Sequence, residues 1–151
     1  MRQATRTLWA LILLTTMSSA LAEVRIKDAW SRATPPGIER GAGYMTLHNT
    51  GEQARTLTGA SATWAQRIEI HESREVDGQM RMQALPDGLT LQPGESLELA
   101  PMGRHLMLMG LTERLTQGDT LALTLEFRNG GTLNTQLDVR GPDASTSQSS
   151  H

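Results

Sequence analysis

The feature that most constrains this chain is a period-two hydrophobic alternation that recurs along it and resets at turn residues. Successive side chains of an extended strand point to opposite faces, so this pattern suits half-buried strands and does not suit helices. In the segment 120–127, Leu121, Leu123, Leu125 and Phe127 share one face. In the next, Leu133, Thr135, Leu137 and Val139 oppose Asn134, Gln136 and Asp138. Arg128-Asn129-Gly130-Gly131-Thr132 between them predicts a hairpin turn, glycine being free to adopt positive φ. Upstream, the same reading predicts strands at Val24–Trp30, Gly43–Asn49, Arg67–Glu72, Met80–Ala84, Ser96–Leu99 and Arg104–Met109. Turn signals separate them: Pro35-Pro36-Gly37, Asn49-Thr50-Gly51, Asp77-Gly78, Pro86-Asp87-Gly88, Pro93-Gly94 and Gln117-Gly118-Asp119. Short strands at this spacing predict one all-β domain, an antiparallel sandwich or small barrel. No repeat of 20–50 residues is present.

The N-terminus reads differently. Arg2 and Arg6 precede an apolar run from Leu8 to Leu14, and an Ala20-Leu21-Ala22 exit follows. A basic start, a short apolar run and small residues at the end describe a secretory signal peptide, residues 1–22, with cleavage after Ala22. The run is too short to span a bilayer, and no later stretch is long enough to do so. The folded domain is then expected over 23–140, followed by a flexible Ser/Thr/Gln-rich tail at 141–151. Losing Arg2 and Arg6 from the 14 basic residues takes the net charge from −2 to −4, which gives no electrostatic case for nucleic acid.

The chain has no Cys. Disulfides, Cys-ligated zinc, iron–sulfur clusters, a blue-copper electron-transfer centre and a lipoprotein anchor are therefore not expected. It has eight Met, of which Met1 and Met17 fall in the leader and Met45 alternates with core-facing Leu47. The other five, Met80, Met82, Met102, Met107 and Met109, lie within residues 80–109. Strand parity sets several of them, with two His, on outward faces. Ile68 and Ile70 take the core side, leaving Arg67, Glu69 and His71 outside; Leu106 and Leu108 take the core side, leaving His105, Met107 and Met109 outside. A Met on a strand is usually packing, yet a core-filling role gives no reason for an outward one. His71 and Met82 are brought together by the hairpin predicted at Asp77-Gly78. Imidazole with thioether suits a soft monovalent metal, Cu(I) foremost, and needs no deprotonation of the sulfur. His48 reads as a surface histidine on the polar face it shares with Tyr44 and Thr46, and Trp30 and Trp64 as core or rim anchors. His151, at the end of the tail, is the candidate for a secondary Cu(II) contact.

These residues resemble the PCu(A)C-type periplasmic copper chaperones, whose fingerprint is a His, ten residues, a Met, about 21 residues and then His-x-Met. Here ten residues separate His71 from Met82, and 22 separate Met82 from His105-Leu106-Met107. The segments 28–37, 41–45 and 105–111 are also similar to family text, and the likeness runs from about Val24 to Asp138. The extra residue is placed in the Pro93–Met102 connection, and Ser73 stands where many relatives carry Met. The resemblance implies a cupredoxin-like Greek-key β-barrel with Cu(I) held by His71, Met82, His105 and Met107. Met80, Met102 and Met109 are second-tier candidates for partner or auxiliary contacts. It also implies delivery of copper to a haem–copper (cytochrome c) oxidase, to subunit II directly or through a Sco-type protein. No Ser/His/Asp or paired-carboxylate arrangement stands out, so a monomer without enzymatic activity is expected. The competing expectation, from the residues alone, is a metal-free exported β-sandwich module that binds protein or glycan, its Met cluster serving as an adaptable apolar surface.

Overall fold

The computed structural model describes residues 23–145. The expected signal peptide, the last part of the tail and His151 lie outside the described residues. Ten strands follow one another: β1 (Val24–Arg32), β2 (Arg40–Asn49), β3 (Arg55–Ala62), β4 (Ala65–Val76), β5 (Gln79–Ala84), β6 (Leu89–Leu91), β7 (Ser96–Leu99), β8 (Arg104–Leu111), β9 (Thr120–Phe127) and β10 (Thr132–Arg140). Seven of them close a barrel in the order β4-β8-β2-β1-β10-β9-β3, with β3 pairing back onto β4. The remaining three lie outside the ring: β5 beside β4, β6 beside β3, and β7 against β2. This is the cupredoxin-like all-β fold, as a closed barrel. No helix among the described residues is long and apolar enough to cross a membrane.

Local sequence explains the connections. Asp77 and Gly78 both take positive φ, so the two-residue loop between β4 and β5 twists with its strands. Asn129 and Gly130 do the same at the β9–β10 turn, where Phe127 N–H donates to Gly131 O at 2.7 Å. The β9–β10 register sets Leu133 opposite Leu125 and Leu137 opposite Leu121. The alternating face is buried as the pattern requires: Leu123, Leu125, Phe127, Leu137 and Val139 join Leu47, Leu57, Leu106 and Leu108 in one core. Each such side chain contributes about 1.5–3 kcal/mol relative to exposure.

Three features depart from expectation. The sheet is not wholly antiparallel, because β1 pairs β10 in parallel through Trp30↔Asp138 and Ser31↔Val139. A bulge between Lys27 and Trp30 turns β1 there, with Asp28 at positive φ and ion-paired to Arg140. Strands β3 and β6 were not predicted. In β3 the run Gly59-Ala60-Ser61-Ala62 has little strand propensity and carries a register shift at Gly59, and β6 has only three residues. Tyr44 does not lie on an open polar face; it is buried against Trp30, with ring centroids 4.7 Å apart. The Arg32 and Arg140 guanidinium groups lie over the Trp30 ring, and Arg32 Nε donates to Ala144 O at 2.8 Å, which holds the start of the C-terminal segment against the barrel.

Candidate metal site

The site is built where β5, β4 and β8 lie side by side. The β4–β8 register sets His71 directly opposite His105 and Glu69 opposite Met107. The β4–β5 register sets Ser73 opposite Met82 and His71 opposite Ala84. Since alternate residues share a face, His71, Ser73, Met82, His105 and Met107 all lie on one side of this three-stranded region. His71 and Met82 are thus diagonal neighbours across the hairpin and not a directly opposed pair.

That face is not open at every point. His105, expected to be displayed outward, is only 4% exposed. Its ring meets the Gly103 carbonyl of the turn Ala100–Gly103, an approach that could not be read from strand parity. Met107 is half-buried, while Met82 is 52% exposed on β5, a strand whose six residues are all exposed. Met82, His105 and Met107 line one cavity of about 480 Å³, together with Ser73, Met102 and Tyr44. His71 lies beside this cavity on β4, its ring centroid 6.2 Å from that of His105. Among the other candidates, Met102 reaches the cavity, Met80 sits exposed further along β5, and Met109 accepts a contact from Arg67 at 3.6 Å outside it. His48 lies on β2 with Nδ1 2.8 Å from Ser96 Oγ, away from β4, β5 and β8.

The hydrogen bonds fix both imidazole tautomers. His71 Nε2 is 3.0 Å from Glu69 Oε2. The hydrogen bond from His71 pulls the Glu69 carboxyl below its ordinary value, with Arg67 adding to the effect. An ionised carboxylate only accepts, so Nε2 carries the proton and donates. Nδ1 of His71 is left with its lone pair, buried and without a hydrogen-bond partner. His105 is arranged the other way round. Its Nδ1 is 3.0 Å from Gly103 O, a carbonyl that can only accept, so Nδ1–H donates and Nε2 holds the lone pair. Burial holds the His105 pKa below the ordinary 6.5 against the opposing pull of the Gly103 carbonyl, and the neighbouring His71 lowers it further. Each ring thus has one nitrogen tied to an acceptor-only oxygen and, when the ring is neutral, a lone pair on the other.

Each ring is held by an acceptor on its far nitrogen, the arrangement that orients metal-ligating histidines. With the thioethers of Met82 and Met107, the donor set is two neutral nitrogens and two neutral sulfurs. Among the described residues no three His, Cys, Asp or Glu side chains are placed to share a metal ion, so a metal here would draw on the thioethers. Such a set fits Cu(I) and lacks the oxygens a hard cation requires. Sequence reasoning missed Glu69 as the residue that orients His71; its signal was present, an acid two positions before a candidate ligand on the same strand face.

Comparison with known proteins bears on the family and the fold. Residues 24–139 match the family described as "Putative lipoprotein LpqE-like", and the chain belongs to that family. It is 32% identical over 117 residues to "Putative lipoprotein Lxx21020" of Leifsonia xyli subsp. xyli, covering 78% of this chain and 69% of that one. In structure it is similar to apo-DR1885 of Deinococcus radiodurans, with 30% identity, a TM-score of 0.62, and 93% and 94% of the two chains covered. The Cu(I) form of DR1885 aligns at 32% identity and a TM-score of 0.51, over 78% and 77%. The copper-bound PCuAC domain of PmoF2 shares the fold, with a TM-score of 0.65, 82% and 97% coverage and 22% identity. The PmoF2 domain is a PCuAC domain by name, like the family the sequence resembles, and the PmoF2 and DR1885 structures include copper-loaded forms.

Proposed function

We propose that this protein is a periplasmic Cu(I) chaperone, exported by a cleaved signal peptide, that carries its metal on His71, Met82, His105 and Met107. The observation that carries this reading is the pair of opposed imidazoles, each with one nitrogen tied to an acceptor-only oxygen and one left free, on the face that also bears Met82 and Met107. Copper in the solved relatives DR1885 and PmoF2 supports the choice of metal. Copper is cargo here. The half-exposed Met82 on the edge strand leaves one side of the site open to an acceptor's ligands, which suits transfer by ligand exchange and not turnover of a substrate. The protein acts as a monomer without enzymatic activity and hands Cu(I) to the copper centre of a haem–copper oxidase, directly or through a Sco-type thiol protein. Any Cu(II) bound is held at a secondary site involving His151.

The test is a competition titration of the purified protein against a chromogenic Cu(I) chelator. One equivalent is bound by the wild type, and His105→Ala or Met107→Ala abolishes stoichiometric binding. A wild type without Cu(I) affinity would favour a metal-free binding module instead.

A further inference from the structure

One thioether near the site has no role so far, and it occupies a backbone position that argues against chance. In the turn Ala100-Pro101-Met102-Gly103, Gly103 N–H donates to Ala100 O at 3.1 Å. Pro at the second position and a positive φ at the third, +70° at Met102, are the pattern of a type II turn. The third position ordinarily takes Gly or Asn, because a Cβ crowds the following carbonyl there. Met has neither the freedom of Gly nor the local hydrogen bonds of Asn. Packing does not compensate, since Met102 is 73% exposed. Still, Met102 lines the same cavity as Met82, His105 and Met107.

The turn is also fixed onto the site. Gly103 O accepts both Ser73 N–H and His105 Nδ1–H, each at 3.0 Å, and Ala100 N–H donates to Arg104 O at 2.9 Å. Met102 is therefore covalently next to the group that sets the His105 tautomer. Ser73, directly across from Met82, brings only a hard hydroxyl to that side of the cavity.

From this, and resting on the Cu(I) reading of the site, we propose that Met102 is a relay donor. It receives Cu(I) from an incoming complex and passes it to the four-ligand set, and on release it performs the reverse. Each step is a ligand exchange in which a Cu–S bond to Met102 forms as a bond to the outgoing donor breaks. Copper stays Cu(I), and the neutral thioether moves no proton or electron. A resident role fits less well, because His71, Met82, His105 and Met107 already supply four donors and Met102 is more exposed than any of them. A relay lowers the barrier to exchange in both directions and leaves the equilibrium unchanged.

The experiment compares the wild type with Met102→Leu, which keeps bulk and removes sulfur, and Met102→Gly, which removes sulfur and suits the turn. Stopped-flow transfer of Cu(I) to and from bathocuproine disulfonate gives both rates, competition gives Kd, and X-ray absorption gives the sulfur count. Both variants slow loading and release by roughly tenfold, the consequence of a transfer state short of one donor, with Kd and sulfur count unchanged. Wild-type rates in either variant would overturn the relay; if only Met102→Leu is slow, turn geometry and not sulfur is responsible. A weaker Kd with one sulfur fewer would make Met102 a resident ligand and also overturn it. A wild type that binds no Cu(I) would instead overturn the site reading on which the relay rests.

Discussion

The sharpest consequence of the site's geometry concerns Glu69, which touches no metal in this account. Its Oε2 accepts the Nε2 proton of His71 at 3.0 Å and so keeps the Nδ1 lone pair free. Glu69→Ala removes that acceptor and lets the proton redistribute between the two nitrogens, while the ring loses its restraint. Loss of such a supporting carboxylate ordinarily weakens metal binding by about 10–100-fold. Two observations place this case at the lower end. The Glu69 side chain is 36% exposed, so water can replace part of the hydrogen bond, and its other oxygen is already shared with Arg67 at 3.0 Å. Glu69→Ala is expected to weaken Cu(I) binding by about tenfold. Glu69→Gln, whose amide oxygen can still accept from Nε2, falls between it and the wild type. Glu72→Ala is the control, because that carboxylate lies on the opposite face of β4, paired with Arg74 and Arg104, and its loss leaves the affinity unchanged. The assay is chelator competition at fixed pH on variants whose thermal melts match the wild type. Wild-type affinity in Glu69→Ala, or an equal loss in Glu72→Ala, would refute the assignment of the His71 tautomer.

Two further outcomes follow from the same coordinates. The His105 pKa is depressed in the folded protein, so folding disfavours its protonation; the apo protein keeps this contribution above pH 6.5, the ordinary histidine value, and loses it as pH falls through the folded pKa. Apo melting temperature should thus decline as pH falls below 6.5, and Cu(I) should oppose the decline; a His105→Gln variant that shows the same pH slope would contradict this. Asn49 is fully buried, donating from Nδ2 to Gln53 O and Leu91 O and accepting Gly51 N–H at Oδ1. Asn49→Ala strands these groups and is expected to lower stability by about 2–3 kcal/mol in urea unfolding, with Cu(I) affinity intact; a loss under about 0.5 kcal/mol would show that water replaces the side chain.

Much of this was legible because strand parity is a strict rule. Placing Ile68 and Ile70 inside forces His71 outward, and placing Leu106 and Leu108 inside forces His105 and Met107 to the other face, so the shared face followed once β4 and β8 paired. The Asp77-Gly78 and Asn129-Gly130 turns were equally plain, since few residue pairs adopt that backbone. What parity cannot supply is the depth of cover. His105 is buried with its ring bonded to the Gly103 carbonyl of the Ala100–Gly103 turn, and Tyr44 is buried against Trp30 with Arg32 over its ring. The parallel β1–β10 pair depends on a bulge at Asp28, an ordinary residue in sequence. Strand β3 was missed because Gly59, Ala60, Ser61 and Ala62 carry little hydrophobic signal, and partners on both sides hold it extended.

The proposed Cu(I) site joins two imidazoles and two thioethers. X-ray absorption on the protein loaded with a single equivalent of Cu(I) tests it most directly. Two nitrogen and two sulfur scatterers are predicted for the wild type, and His105→Ala and Met107→Ala take up no stoichiometric Cu(I). A wild-type shell of nitrogen and oxygen alone, or a Met107→Ala variant that still takes up one equivalent with two sulfurs, would contradict it.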